Sequence, residues 1–402
     1  MSKTILLIGT LDTKGAEYSY VKDLITERGH QTLVLDASVI GEPTFSPDIS
    51  AETVAKAGGS NLTELRKKAD RGAAVEVMAN GAAKLAKEYL AAGKFDGVLG
   101  LGGSGGTAVA TTAMRELSVG LPKIMVSTVA SGDVKPYVGI KDITMMYSVV
   151  DIAGLNRISR RILANAAGAV CGMVEQEMPV VEDKSLISAT MFGVTTPCVD
   201  AIRERLEQAG YEILVFHATG SGGQAMESLI SDGFITGVAD VTTTEWCDEL
   251  VGGVLSAGPH RLEAAGRKGV PQVVSCGALD MVNFWAYDTV PPKFKDRILY
   301  KHNSNITLMR TNPEECAELG RIIAGKLNQA KGPTTLFLPL KGVSAIDKEG
   351  QPFYLPEADA ALFKALRENI HPPVELIELD MNINDPEFSA AMAERLLEML
   401  KN

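Results

Sequence analysis

Thr4-Ile5-Leu6-Leu7-Ile8-Gly9 is a short apolar run, rich in branched residues, that stops at a polar loop. Such a run reads as a strand buried on both faces. From Glu17 to Arg28 the apolar positions Tyr20, Val21, Leu24 and Ile25 recur at helical spacing, and Gly29 stands where a left-handed C-terminal cap is common. Thr32-Leu33-Val34-Leu35-Asp36 reads as a second strand. Strand, helix and strand in that order favour a parallel pair joined by a right-handed crossover.

The unit recurs outward. After Asp36 come a loop and a long helical stretch, Ala73 to Ala92; Val98-Leu99-Gly100-Leu101 and Ile124-Met125-Val126-Ser127 then read as strands around a helix from Thr107 to Leu117. A second start follows the charged hinge Glu182-Asp183-Lys184, with the strand Leu186 to Gly193, the helix Val199 to Gln208 and the strand Ile213 to Phe216. Further strands are expected at Gly237 to Asp240, Gln272 to Ser275, Thr335 to Leu338 and Val374 to Ile377, and a closing helix from Glu387 to Leu400. The fold class expected is α/β, with two open, mostly parallel, doubly wound Rossmann-like domains at 1–183 and 184–402. A chain of 402 residues exceeds what one hydrophobic core usually organises, which agrees with two domains.

Composition excludes several roles. No apolar run reaches membrane-spanning length and no basic-then-apolar leader opens the chain, so neither membrane insertion nor secretion is expected. The five cysteines, Cys171, Cys198, Cys247, Cys276 and Cys316, form no Cys-x-x-Cys pair, which points to the reducing cytoplasm. A formal charge of −11 without a basic stripe argues against nucleic acid as a partner.

Gly102-Gly103-Ser104-Gly105-Gly106-Thr107 lies between a strand and a helix, where absent side chains let backbone N–H groups approach an anion beside a helix N-terminus. It has neither the Gly-Lys-Ser/Thr ending of a P-loop nor the position of a Rossmann fingerprint, so the pattern specifies an anion and leaves its identity open. Other loops should meet it at the C-terminal strand ends. Asp12, Thr13 and Lys14 offer a carboxylate for Mg²⁺, a hydroxyl and a cation; Asp36 is placed for a ribose hydroxyl; Ser127 and Ser131 add small polar groups. Ordinary loop capping is the competing reading of each.

Ile8-Gly9-Thr10-Leu11-Asp12-Thr13-Lys14-Gly15 together with Gly100 to Thr107 resembles the family of the ATP-binding amino-terminal domain of the tomato mosaic virus resistance protein. The likeness extends to His302-Asn303, Thr307-Leu308-Met309-Arg310-Thr311 and Pro339 to Ser344. It implies two α/β subdomains, ATP as the nucleotide and a homodimer. It supplies no reaction.

In the second domain, His217, Asp240, Cys276 and His302 follow expected strands and are candidates for proton transfer or nucleophilic chemistry. Gly220-Ser221-Gly222-Gly223 offers a second helix N-terminus for an anion, with Arg310 and Lys341 as cations to orient it. The leading expectation is an ATP-dependent enzyme acting on an anionic metabolite. A nucleotide-responsive regulatory protein without turnover, or an ATP-independent lyase or isomerase of a phosphorylated substrate, stays open.

Overall fold

The computed structural model describes residues 2–178 and 183–401, so Glu182 of the expected hinge lies outside the described residues. The chain divides into two compact units, Met1–Val180 and Val181–Asn402.

Unit 1 runs β1 (Thr4–Gly9), α1 (Leu11–Glu27), β2 (Gln31–Asp36), α2 (Ala51–Ala57), α3 (Leu62–Lys68), α4 (Arg71–Ala91), β3 (Gly97–Gly102), α5 (Ser104–Arg115), β4 (Lys123–Ser127), α6 (Lys135–Val138), β5 (Thr144–Tyr147) and α7 (Arg157–Glu175). All neighbouring strands are parallel, in the order β2-β1-β3-β4-β5. Alternation along β1 explains the two layers of helices. Leu6 and Ile8 point into a core with α2, α4 and α5, whereas Ile5 and Leu7 point into one with α1 and α7.

The first helix departs from the sequence reading. It begins at Leu11, and the polar stretch expected as a loop forms its first turn, with non-helical backbone at Lys14 (φ −126°, ψ 16°). Gly29 does take the left-handed conformation, at φ 86°. Two short helices, α2 and α3, occupy what reads as loop, each opened by a side-chain cap from Ser50 or Asn61.

Unit 2 runs β6 (Leu186–Met191), α8 (Thr196–Gln208), β7 (Glu212–His217), α9 (Ser221–Asp232), β8 (Ile235–Thr242), α10 (Glu245–Val251), α11 (Ala264–Lys268), β9 (Gln272–Gly277), β10 (Met281–Phe284), β11 (Leu299–Lys301), β12 (Thr307–Arg310), α12 (Pro313–Leu327), β13 (Thr334–Pro339), α13 (Pro356–Asn369), β14 (Glu375–Leu379) and α14 (Pro386–Leu400). Its parallel sheet has the order β7-β6-β8-β9-β13-β14, the unit 1 order lengthened by one strand. An antiparallel sheet, β10-β12-β11, is inserted between β9 and β13 and has no counterpart in the sequence reading. Met281 to Phe284 thus serves packing, as buried strand β10. Among the described residues no helix is long and apolar enough to cross a membrane.

Candidate functional site

In unit 1 the strand order reverses between β1 and β3, and ligands of open α/β sheets collect outside the C-terminal strand ends at that point. The β1–β3 ladder extends to the Ile8–Gly100 pair. One step further, the buried Tyr18 hydroxyl bridges the strands, accepting the Leu101 N–H at 2.7 Å and donating to the Ile8 carbonyl at 2.5 Å. A Cβ on Gly9 would fall 2.1 Å from the Tyr18 ring, so only glycine lets the ring in. Burial pushes the Tyr18 phenol well above its usual range, which keeps it a neutral bridge.

Beyond that bridge, Gly102 to Gly106 turns into α5. A Cβ on Gly102 would come within 2.9 Å of the Gly106 Cα, a close approach that requires glycine. Gly105 differs: a Cβ there meets only Val75 Cγ2 at 3.8 Å and Arg71 Nη2 at 3.9 Å, so its missing side chain leaves room on the open side. The Thr107 and Ser127 hydroxyls lie 2.7 Å apart beneath the loop, and the Thr128 N–H donates to the Gly102 carbonyl at 3.2 Å.

A cavity of about 920 Å³ opens here. The glycine loop forms one wall and Asp12, Thr13 and Lys14 another. Arg66 and Arg71 add cationic groups, while Val39, Leu65, Val75 and Met78 make an apolar side. Arg66 is partly engaged, donating to the Val39 carbonyl at 2.6 Å and lying 3.3 Å from Glu42. Asp12 accepts the Gly41 N–H through Oδ2 at 3.0 Å, while its Oδ1 is buried with no hydrogen-bond partner.

The structure therefore brings Asp12, Thr13, Lys14 and Gly102 to Gly106 together, as expected. It sorts the other expected residues differently. Thr107 and Ser127 are buried under the loop and position it. Asp36 is buried, its Oδ1 accepts the Leu11 N–H at 3.1 Å and the Ser38 N–H at 3.0 Å, and it lies outside the cavity lining, so it shapes the loop after β1. Ser131 is exposed and lies outside the cavity lining. Thr128, in the expected loop from Ser127 to Ser131, does line the cavity, and Arg66, Arg71 and Asp151 line it without having been legible in the sequence. The one available signal was Asp70-Arg71, an N-cap followed by a cation at the start of α4.

Unit 2 overturns the expected anion site. The Gly220 and Gly223 N–H groups donate to Glu245 Oε1 at 2.7 and 3.1 Å, so the protein's own carboxylate already occupies this helix N-terminus. A Cβ on Gly223 would fall 2.1 Å from Glu245 Oε2, and one on Gly222 1.9 Å from the His217 carbonyl oxygen. Ser221 is exposed beside them. Arg261, itself buried, closes the arrangement: Nε donates to Glu245 Oε2 at 2.7 Å, and the other two nitrogens donate to Asp240 at 2.5 and 2.7 Å. Burial raises the Glu245 carboxyl, and the Arg261 guanidinium opposes that shift.

The remaining unit 2 candidates are either buried within the protein or exposed at its surface. Asp240 is spent on Arg261 and on the Thr190 hydroxyl at 2.7 Å. Cys276 is fully buried and its thiol is pushed up by burial, the reverse of an activated nucleophile. Arg310 is buried against Asp359 at 2.6 Å and Asp347 at 3.2 Å, which leaves no free fork for a ligand. Lys341 is exposed and pairs with Asp380 at 2.9 Å. His217 and His302 are both exposed; His217 lies against the Phe192 ring, with centroids 5.5 Å apart, and His302 sits in a turn closed by its N–H to the Ile306 carbonyl. Among the described residues no group of three His, Cys, Asp or Glu is placed to hold a metal ion.

The strand order defines a doubly wound α/β protein, with the glycine loop and an open cavity at the C-terminal edge of its first sheet. The chain belongs to the uncharacterised protein family UPF0261: residues 3–179 match its N-terminal domain and residues 184–400 its C-terminal domain. A UPF0261 protein of Clostridium tetani is 56% identical over 403 residues, covering 100% of both chains. One from Rhizobium meliloti is 49% identical and covers 97% of each. The ToMV resistance protein Tm-1(GCR237) of Solanum lycopersicum is 47% identical over 312 residues, which span 75% of this chain and 41% of the tomato protein. Among solved structures, a putative UDP-N-acetylglucosamine 2-epimerase from Listeria monocytogenes aligns with 99% of this chain and 95% of its own at 13% identity and a TM-score of 0.24.

Proposed function

We propose that unit 1 binds ATP and that the chain is an ATP-dependent enzyme of small-molecule metabolism. The observation that carries this reading is one cavity of about 920 Å³ walled by Gly102 to Gly106 on one side and by Lys14 and Arg71 on others. Backbone N–H groups at the start of α5 and two cations suit a polyphosphate. Val39, Leu65, Val75 and Met78 suit the faces of a purine, and the volume lies in the ordinary range for a small-molecule site, roughly 300–1,000 Å³.

Asp12 fits a magnesium ion, because its Oδ1 is buried without a partner at the cavity wall. Mg²⁺ in nucleotide sites takes one or two carboxylates and completes its shell with phosphate oxygens and water, where it neutralises phosphate charge. Lys14 and the loop N–H groups would meet the charge that builds on the terminal phosphoryl oxygens, and their fixed geometry supplies stabilisation without reorganisation. The basis for an anionic co-substrate in unit 2 is gone, since Gly220 to Gly223 and Arg310 are satisfied internally. Five buried, unpaired cysteines favour a cytoplasmic location, and the family resemblance favours a homodimer.

Calorimetric titration of the full chain with ATP and Mg²⁺ tests the reading. Micromolar to submillimolar binding is expected, weakened about tenfold or more by Lys14→Ala, with slow ADP release in a coupled assay. Absence of binding by the wild-type chain at millimolar ATP would overturn it.

A further inference from the structure

A second cavity, of about 340 Å³, adjoins the first and shares Thr128 and Asp151 with it. Tyr147, Ser148, Val149 and Val150 complete its lining. Hydrogen bonds tie this wall to the glycine loop. The Thr128 N–H donates to the Gly102 carbonyl at 3.2 Å, and the Ser148 N–H donates to the Ser127 carbonyl at 3.1 Å. The Thr128 hydroxyl lies 3.6 Å from where a Cβ on Gly103 would stand, so it faces the loop across the gap.

The backbone at Val149 is strained. Its φ is 62°, in the left-handed region that a β-branched residue rarely enters, and the side chain is 60% exposed, so core packing does not hold it there. A tight turn does: the Val150 N–H donates to the Ser148 carbonyl at 2.6 Å, and Ser148 Oγ donates to the Val150 carbonyl at 2.7 Å. From the other side, the Gly154 N–H donates to the buried Glu17 carboxylate at 2.6 Å. Strain held by surrounding hydrogen bonds, beside a cavity, marks pre-organisation for a ligand.

Charge defines the ligand. Among the described residues no Lys, Arg or His lines this second cavity, and Asp151 is the one carboxylate in its lining. An anionic co-substrate would meet like charge there without a compensating cation. We propose that this cavity is the subsite of a small acceptor bearing a hydroxyl or amine and no net negative charge, with Asp151 as its base.

This inference rests on the nucleotide reading above. The acceptor oxygen or nitrogen bonds to the terminal phosphorus of ATP, and the bond from that phosphorus to the bridging oxygen breaks. ADP leaves with the electron pair, and the acceptor proton passes to the Asp151 carboxylate. A carboxylate within reach of the acceptor proton is the role such residues fill in kinases.

The test takes the full chain first with a nonhydrolysable ATP analogue alone, measured by calorimetry; failure here removes the nucleotide reading itself. Analogue-saturated protein is then probed by saturation-transfer NMR with a panel of small polyols and amino alcohols, glycerol and ethanolamine included, against glycerate and other carboxylates of matched size. At least one neutral or cationic probe is expected to bind tenfold or more tightly than its matched carboxylate. With ATP, that probe should yield ADP and its phosphorylated form in equal amounts. Asp151→Asn, an isosteric change at an exposed position, should reduce that turnover by about a hundredfold or more and narrow the preference over carboxylates. Bound analogue with no probe binding, carboxylates binding as tightly as their neutral matches, or unchanged turnover in Asp151→Asn would each overturn the proposal.

Discussion

The hydroxyl of Tyr18 takes the place of one rung between β1 and β3, accepting the Leu101 N–H at 2.7 Å where the two strands part. The glycine loop begins one residue later, so its position depends on a side chain from α1. Tyr18→Phe leaves the Leu101 N–H and the Ile8 carbonyl without that partner in a buried site. The expected loss is about 1–3 kcal/mol of unit 1 stability in urea denaturation. Nucleotide affinity should fall with it, because Gly102 loses its fixed approach.

Glu245 answers a similar requirement in unit 2 from within the protein. Glu245→Ala strips the Gly220 and Gly223 N–H groups of their acceptor and leaves Arg261 with a partner missing. Breaking a buried pair in this way costs about 3–5 kcal/mol. The vacated space is anion-shaped, so tens of millimolar phosphate should raise the melting temperature of Glu245→Ala more than that of the wild type. Equal responses would show that the glycine loop of unit 2 has no preference for an anion.

The acidic groups of unit 2 give a pH dependence of definite sign. Burial pushes the Asp248 carboxyl up to about 7, against hydrogen bonds from Asn283 and Leu255. Burial also pushes Asp347 up to about 8, and the neighbouring Asp280 and Asp359 add to the shift. Both folded values lie above the unfolded one of 3.8, so between them the native state holds more protons than the unfolded chain. Stability therefore falls as pH rises from about 4, once the unfolded carboxylates ionise, and the fall levels off as the folded groups ionise near 7 and 8. Denaturation midpoints across that range should decline, and Asp248→Asn should flatten the decline.

Much of the fold was legible because both faces of β1 are buried. The continuous run Ile5 to Ile8 announces a parallel sheet, and the same argument finds β3, β4, β6 and β9. Local signals failed where burial is partial or partners are distant. Strand β5, half exposed along its length, offers only Met145 and Met146 between two exposed ends. The sheet β10-β12-β11 draws its pairs from strands separated by loops. The candidate site shows the same limit. Gly102 to Gly106 and Gly220 to Gly223 read alike as turns before helices, yet one borders an open cavity and the other encloses Glu245. Glycine announces that something approaches the backbone; only the tertiary structure tells whether it comes from outside.

Gly105 offers the most direct measurement. Alanine there has room, with Val75 Cγ2 at 3.8 Å and Arg71 Nη2 at 3.9 Å from the new methyl, and alanine favours a helix over glycine by about 1 kcal/mol. The methyl nevertheless enters the space proposed for phosphate. Calorimetric titration of Gly105→Ala with ATP and Mg²⁺, beside its thermal denaturation, separates the two effects. The expected result is a melting temperature equal to or above that of the wild type together with at least tenfold weaker ATP binding. Unchanged ATP affinity in a fully folded Gly105→Ala would contradict phosphate binding at this loop.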